Sequence, residues 1–291
     1  MNTGILAEQV RLLDPGSAIE QENCLQELLQ QYVLASLSRA RFFSLAAFHG
    51  GTCLRILHGA GRFSEDLDFL LRVPLRGPQS PSDAEFDWRP YLQRIRDDLL
   101  RDDIHVEVQS HDSNSAVKKA WIKAGGTGHP LGGNLPFPRR EAKKIRIKLE
   151  VDANPPAGSI LETRYITFPI TVPITVQNLE SGFAGKSHAL LCRPYTKGRD
   201  WYDFLWYLGK GIVPLLPFLS NAIQQQGPWA GQGIDVTPEW YVSAMRARIE
   251  EIDWVTARAD VSRFVVLREQ RSIEQWGPHL FLQFLERMVA R

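Results

Sequence analysis

The sequence predicts an α+β protein: an α/β segment over residues 1–178, then a helical segment over residues 179–291. Two observations carry that reading. From Ile145 to Asp152, the apolar residues Ile145, Ile147, Leu149 and Val151 alternate without a break with Arg146, Lys148, Glu150 and Asp152. A period of two is the mark of a strand with one buried and one polar face. Up to about residue 178, strand-like and helix-like stretches are mixed, whereas from Leu179 onward the pattern is helical through to Arg291. Mixed elements followed by helices alone imply a sheet-containing part and a helical part.

The elements follow in order. Residues 18–40 read as a helix because Leu25, Leu28, Leu29, Tyr32 and Val33 form one apolar stripe. A short apolar run, Phe42 to Phe48, ends at His49-Gly50-Gly51. Thr52 to His58 reads as a short helix, broken by Gly59-Ala60-Gly61. Leu67 to Val73 is a strand, followed by a loop containing Pro74, Pro78, Pro81 and Pro90. Trp88 to Leu100 is helical, and Ile104 to Val108 alternates like a strand. After the 145–152 strand, Asn154-Pro155-Pro156 forces a stop. Tyr165 to Val176 is β-rich but carries Pro169 and Pro173, which suits an edge strand or an arm. The helices beyond include 185–191, 200–208, 240–252 and 279–289.

Bulk properties exclude some classes. Hydrophobic residues make up 44% and charged residues 23%, ordinary for a soluble globular protein. No apolar run approaches the ~20 residues of a membrane helix, and residues 1–22 lack the apolar core of a secretory signal. The three cysteines, Cys24, Cys53 and Cys192, are widely spaced and odd in number, fitting neither a disulfide framework nor a zinc cluster. A cytoplasmic setting is expected. Net charge is only +1, yet between Lys118 and Lys148 there are nine lysines and arginines against one acid, Glu141. Such a segment either concentrates a polyanion near one face or is a solvated loop.

The residues with chemical potential centre on Gly50-Gly51-Thr52, a gap of thirteen residues, and Asp66-Leu67-Asp68. Residues two apart on a strand share a face, so Asp66 and Asp68 present two carboxylates together while Leu67 and Phe69 anchor the strand. Paired carboxylate oxygens suit a hard divalent cation that completes its shell with phosphate oxygens. A Gly-Gly-Thr turn opening a helix offers backbone N–H groups and a hydroxyl to a triphosphate. Each part alone is common on protein surfaces; the combination at this spacing is informative.

The runs Gly50-Gly51-Thr52-Cys53-Leu54-Arg55 and Arg62-Phe63-Ser64-Glu65-Asp66-Leu67-Asp68-Phe69 closely resemble the first motif of the AbiEii/AbiGii (MenT-like) family of nucleotidyltransferase toxins. Three further motifs match in order: Lys148-Leu149-Glu150, the stretch Leu179–Leu191 with Lys186, and Lys197-Gly198-Arg199-Asp200-Trp201-Tyr202-Asp203. The resemblance touches residues 20–208 and implies a polymerase-β-like nucleotidyltransferase core, a mixed sheet with flanking helices. It implies Asp66, Asp68, Lys186 and Asp200 as catalytic residues, and Asp66, Asp68 and Glu150 as ligands of Mg2+ or Mn2+. It also implies that Gly50, Gly51, Thr52, Lys148 and Arg199 bind an NTP, with the helical residues 179–291 completing the cleft. By the same resemblance the chain is the toxin of a toxin–antitoxin pair acting on RNA, tRNA 3′ ends in some members, with a cognate antitoxin as partner.

Other readings stand beside these. Lys186 on an apolar helix can snorkel, Asp200 can serve the helix dipole, and Asp203 can tie to Arg199 or Lys197. Asp152 shares a face with Glu150 and competes for its role. His49 reads as a packing or turn residue rather than a general base, and His188 as core filling. The aromatic residues of 201–207 read as domain-interface packing. The Gly- and Pro-rich insertion from Ala124 to Pro138 matches no family motif. The acceptor can instead be a small molecule or a protein, and a catalytically silent nucleotide-binding protein is the reading from another class.

Overall fold

The computed structural model describes residues 4–75, 86–111, 115–126, 131, 135–139 and 143–289. Pro78, Pro81, Arg140, Glu141 and part of the 124–138 insertion therefore lie outside the described residues.

The chain opens with α1 (Gly4–Leu13), unforeseen from sequence, and α2 (Ala18–Arg39). Two reciprocal bonds start α2: the Ser17 hydroxyl accepts from the Glu20 N–H, and the Glu20 carboxylate accepts from the Gly16 N–H. Its predicted stripe is buried, with Leu25, Leu28, Leu29, Tyr32 and Val33 all inside. Then follow β1 (Ala46–His49), α3 (Gly50–His58), β2 (Leu67–Leu71), α4 (Arg89–Arg101), β3 (Val106–His111), β4 (Val117–Ala124), β5 (Ile145–Asp152), β6 (Leu161–Ile166) and β7 (Val172–Gln177). The helical remainder comprises α5 (Leu179–Cys192), α6 (Gly198–Gly209), α7 (Leu216–Gln225), α8 (Pro238–Glu251), α9 (Trp254–Ser262), α10 (Leu267–Ile273) and α11 (Pro278–Val289).

Seven strands form one mixed sheet in the order β3-β4-β5-β2-β1-β7-β6. The pairs β1–β2, β3–β4 and β4–β5 are antiparallel; β2–β5 and β1–β7 are parallel. The mixed sheet with flanking helices is as expected. Two details differ. Val117–Ala124 is a full strand, with Lys119 and Lys123 flanking Trp121 on its open face and alanines making much of its buried face, so in the sequence it reads as part of a charged segment rather than a strand. The proline-bearing stretch is two strands rather than one, and β7 lies inside the sheet between β1 and β6. Pro173 is exposed, and the pairing of β7 with β1 falls beyond it, at Phe48 and Val176.

The chain forms two compact units. Unit 1 holds residues 1–59, 63–155 and 163–176; unit 2 holds 60–62, 156–162 and 177–291. The core of unit 1 is aromatic: Phe42 stacks on Trp88 at 5.6 Å and meets Phe69 edge-on at 4.9 Å. In unit 2, Trp201 and Phe204 of α6 pack against Phe281, which also lies 4.4 Å from Trp254. These two aromatic residues, expected at a domain interface, fill the core of their own unit. Each such side chain contributes roughly 1.5–3 kcal/mol by burial. All three cysteines are free thiols.

Candidate active site

In unit 1 the parallel register of β2 and β5 sets Asp68 directly beside Glu150, and β1 places His49 opposite Asp68 on its other side. The alternation that buries Leu67 and Phe69 leaves Asp68 half-buried on the other face. Asp66, half-buried, directly precedes β2. Burial, followed by the charge of Asp68, pushes its carboxyl up to about 6, although Lys148 pulls the other way. Asp66, Asp68, Lys148 and Glu150 therefore form one electrostatic neighbourhood.

The glycine turn is fitted to the carboxylates. Gly50, with φ +81°, opens α3, and a Cβ built on it would fall 2.7 Å from Asp68 Oδ2. A side chain is thus excluded twice, by backbone conformation and by the carboxylate. The first turn of α3 sits beside Asp68, where its N–H groups carry partial positive charge. Thr52, fully buried, is turned toward Asp66: its hydroxyl donates to the Asp66 backbone carbonyl in a short bond. The structure therefore places Thr52 as a clamp on the segment entering β2.

The Asp66–Asp68 pair suits a divalent cation on two grounds. Burial and then the charge of Asp68 raise Asp66, so a cation there would relieve both, and the missing side chain at Gly50 leaves Asp68 Oδ2 its room. Among the described residues no group of three His, Cys, Asp or Glu side chains is arranged to hold a metal ion. Glu150 pairs with Lys148 at 2.7 Å and Lys119 at 3.7 Å.

Unit 2 contains a separate buried charge cluster. Lys186 lies 2.6 Å from Asp200 and 2.8 Å from Asp203. Arg62 grips Asp203 with two bonds, Nε to Oδ1 at 2.7 Å and Nη2 to Oδ2 at 2.6 Å, and Arg193 pairs with Asp200. Burial by itself raises Asp200, but Lys186 and Arg193 outweigh it and hold the carboxyl down at about 2. For Asp203, burial is likewise outweighed by Arg62 and Lys186. Burial disfavours charge on Lys186, and the two aspartates reverse that, so it stays an ammonium.

The predicted residues thus fall into two groups. Gly50, Gly51, Thr52, Asp66, Asp68, Lys148 and Glu150 belong to unit 1, and Lys186, Arg199 and Asp200 to unit 2. The Arg199 guanidinium stands 4.2 Å over the Phe264 ring. Asp203, read from sequence as a tie to Arg199 or Lys197, pairs with Arg62 and Lys186. His188 is half-buried, not core: its ring bonds the Gln226 carbonyl at 2.9 Å, and burial lowers its pKa. Sequence reasoning missed Arg62 and Arg193. An arginine after a Gly-Ala-Gly break looks solvated, and only the distant Asp203 reveals why it is buried.

Comparison with known proteins yields one family. The model described as "Nucleotidyl transferase AbiEii toxin, Type IV TA system" matches residues 32–278. No curated protein matches the chain. Among solved structures, JHP933 from Helicobacter pylori is 16% identical, with a TM-score of 0.47 over 92% of this chain and 95% of that one. The nucleotidyltransferase toxin MenT4 from Mycobacterium tuberculosis H37Rv is 17% identical, with a TM-score of 0.49 over 98% of each chain.

Proposed function

Because the chain belongs to the AbiEii family, the nucleotidyltransferase toxins of type IV toxin–antitoxin systems, we propose that it moves NMP from an NTP onto a hydroxyl of RNA, at the Asp66–Asp68 pair. The observation that carries this reading is the fit of Gly50 against the Asp68 carboxylate, which joins glycine turn and carboxylates into one site. Asp66 and Asp68 would hold a divalent cation, Mg2+ or Mn2+, with Glu150 beside them. The chemistry such a cation supplies is neutralisation of phosphate charge and stabilisation of the departing pyrophosphate.

The chain's own groups do the rest. Backbone N–H groups of Gly50, Gly51 and Thr52 at the start of α3 take phosphate oxygens, as helix N-termini do. The Thr52 hydroxyl fixes the backbone at Asp66, and the ammonium of Lys148 balances the carboxylates. Within unit 2, Asp200 and Asp203 keep Lys186 an ammonium, and it and Arg199 are the cations that the family resemblance assigns to the nucleotide. The acceptor hydroxyl attacks the α-phosphorus in line, its proton passing to water, and the bond to pyrophosphate breaks. A tRNA 3′ end is the acceptor this reading favours, in the cytoplasm, with a cognate antitoxin restraining the activity. No helix among the described residues is long and apolar enough to cross a membrane.

The test uses labelled NTPs, Mg2+ or Mn2+, and total RNA. Label should enter RNA with the parent protein and not with Asp66→Ala or Asp68→Ala, whose melting temperatures should stay close to the parent's. Retained transfer by either variant overturns the site. Label that persists in an RNase-treated extract moves the acceptor to protein or small molecule.

A further inference from the structure

The sheet face that carries Asp68 and Glu150 continues outward within unit 1 across β5 and β4. Residues in register on neighbouring strands share a face. Glu150 pairs with Lys119, Lys148 with Trp121, and Arg146 with Lys123. The opposite face of β4 is the buried one, with Ala120, Ile122 and Ala124 inside. Trp121 is therefore on the wrong side of its strand for a core residue. It stands half-buried on the polar face, with Lys119 and Lys123 two places before and after it. The Lys148 ammonium lies 5.8 Å from the centre of its ring.

We propose that Trp121 is a stacking platform for a base of single-stranded RNA, and that Lys123 and Arg146 contact the backbone phosphates on the side of that base away from Asp68. The proposal rests on the reading of this site as an RNA-modifying nucleotidyltransferase. An aromatic ring set among cations on an open sheet is how proteins hold unpaired nucleotides: the ring takes the base and the cations take the backbone. Position supports it. β4 lies two strands from β2, about 10 Å from the carboxylates at the usual strand spacing.

The direction of the charge favours a polymer over a mononucleotide. Lys119 and Glu150 lie on the carboxylate side of the ring, whereas Lys123 and Arg146 lie beyond it, further from Asp68. Beyond the ring, among the described residues, Lys123, Lys144 and Arg146 stand against one carboxylate, Glu107, which lies opposite Lys123 and bonds Lys144 at 2.5 Å, so positive charge is in excess there. An incoming NTP has no phosphates to place there. A strand running from the reacting end across Trp121 does.

The experiment uses the full chain and a fluorescein-labelled single-stranded RNA of twelve nucleotides, with binding read by anisotropy. Trp121→Ala should weaken binding roughly tenfold, and Trp121→Phe, which keeps a ring, should recover most of it. Lys123→Ala and Arg146→Ala should each lower the slope of log affinity against log salt by about 0.7. In transfer assays, Trp121→Ala should raise KM for RNA more than it lowers kcat, while ATP binding without RNA stays at the parent value. RNA affinity unchanged in Trp121→Ala overturns the proposal, as does a loss of ATP binding without loss of RNA binding. The two readings fail separately. RNA binding that depends on Trp121 in a protein that transfers nothing to RNA refutes the activity and leaves the platform. Transfer that is indifferent to Trp121 refutes the platform alone.

Discussion

Replacing Arg62 by alanine should destabilise unit 2 by about 3 kcal/mol. Arg62 and Asp203 are 3% and 0% exposed, and two bonds of 2.7 and 2.6 Å join them. An exposed ion pair contributes about 0–1 kcal/mol, but removing one member of a buried pair costs roughly 3–5 kcal/mol, because the other charge is left without compensation. Lys186 still touches Asp203 at 2.8 Å after the change, which places the expected cost at the lower end of that range. Arg62→Lys should fall in between, since an ammonium cannot reproduce the two-pronged grip. Urea unfolding followed by tryptophan emission suits the measurement, for Trp88 and Trp121 lie in unit 1 and the other six of the eight tryptophans in unit 2. Arg89→Ala supplies the control: its partner is Asp87, its side chain is 76% exposed, and its loss should matter by less than about 0.5 kcal/mol. If Arg62→Ala stays within about 1 kcal/mol of the parent, Lys186 alone satisfies Asp203 and the reasoning fails.

Asp200 predicts an acid dependence. Its folded value of about 2 lies below the ordinary 3.8, so the unfolded chain takes up the proton first as pH falls. The contribution, about 2 kcal/mol, is complete above about pH 5 and disappears as pH drops toward 2. Asp200→Asn should flatten the stability curve across that window, and an unchanged slope would contradict the assignment. Gly50→Ala should cut NMP transfer at least tenfold, because the new Cβ displaces the Asp68 carboxylate, while left-handed strain costs only about 1–2 kcal/mol. Full activity with an altered melting temperature would show that the turn does not position Asp68. Thr52→Val deletes the donor to the Asp66 carbonyl and should cost about 1–2 kcal/mol of stability, with reduced transfer. Parent-like activity and melting would remove Thr52 from the site.

Much of unit 1 was legible because its signals are local. The alternation over 145–152 fixed which side of β5 is buried, and with it the side on which Glu150 stands. The same parity at Leu67 and Phe69 placed Asp68. β4 was hidden because three lysines in eight residues outweigh Ala120 and Ala124 in any reading by hydropathy. Contacts between distant residues were hidden altogether. Nothing near Arg62 in sequence announces Asp203, and nothing near Thr52 announces that its hydroxyl bonds the Asp66 carbonyl. Likewise, the contact of Glu150 with Lys119 joins residues thirty-one positions apart and has no local sign in the sequence.

The parallel pairing of β2 with β5 also constrains how the chain comes into being. β1 is finished before β2, but β5 begins 74 positions after Leu71. At roughly 5–20 residues per second on the ribosome, one side of β2 waits several seconds for its neighbour. Through that interval Leu67, Phe69, Leu70 and Leu71 form a strand with an open edge, the kind of segment that joins to other chains. Slow or stalled synthesis within residues 72–144 should therefore send the nascent protein toward aggregates, and chaperone engagement is expected there first.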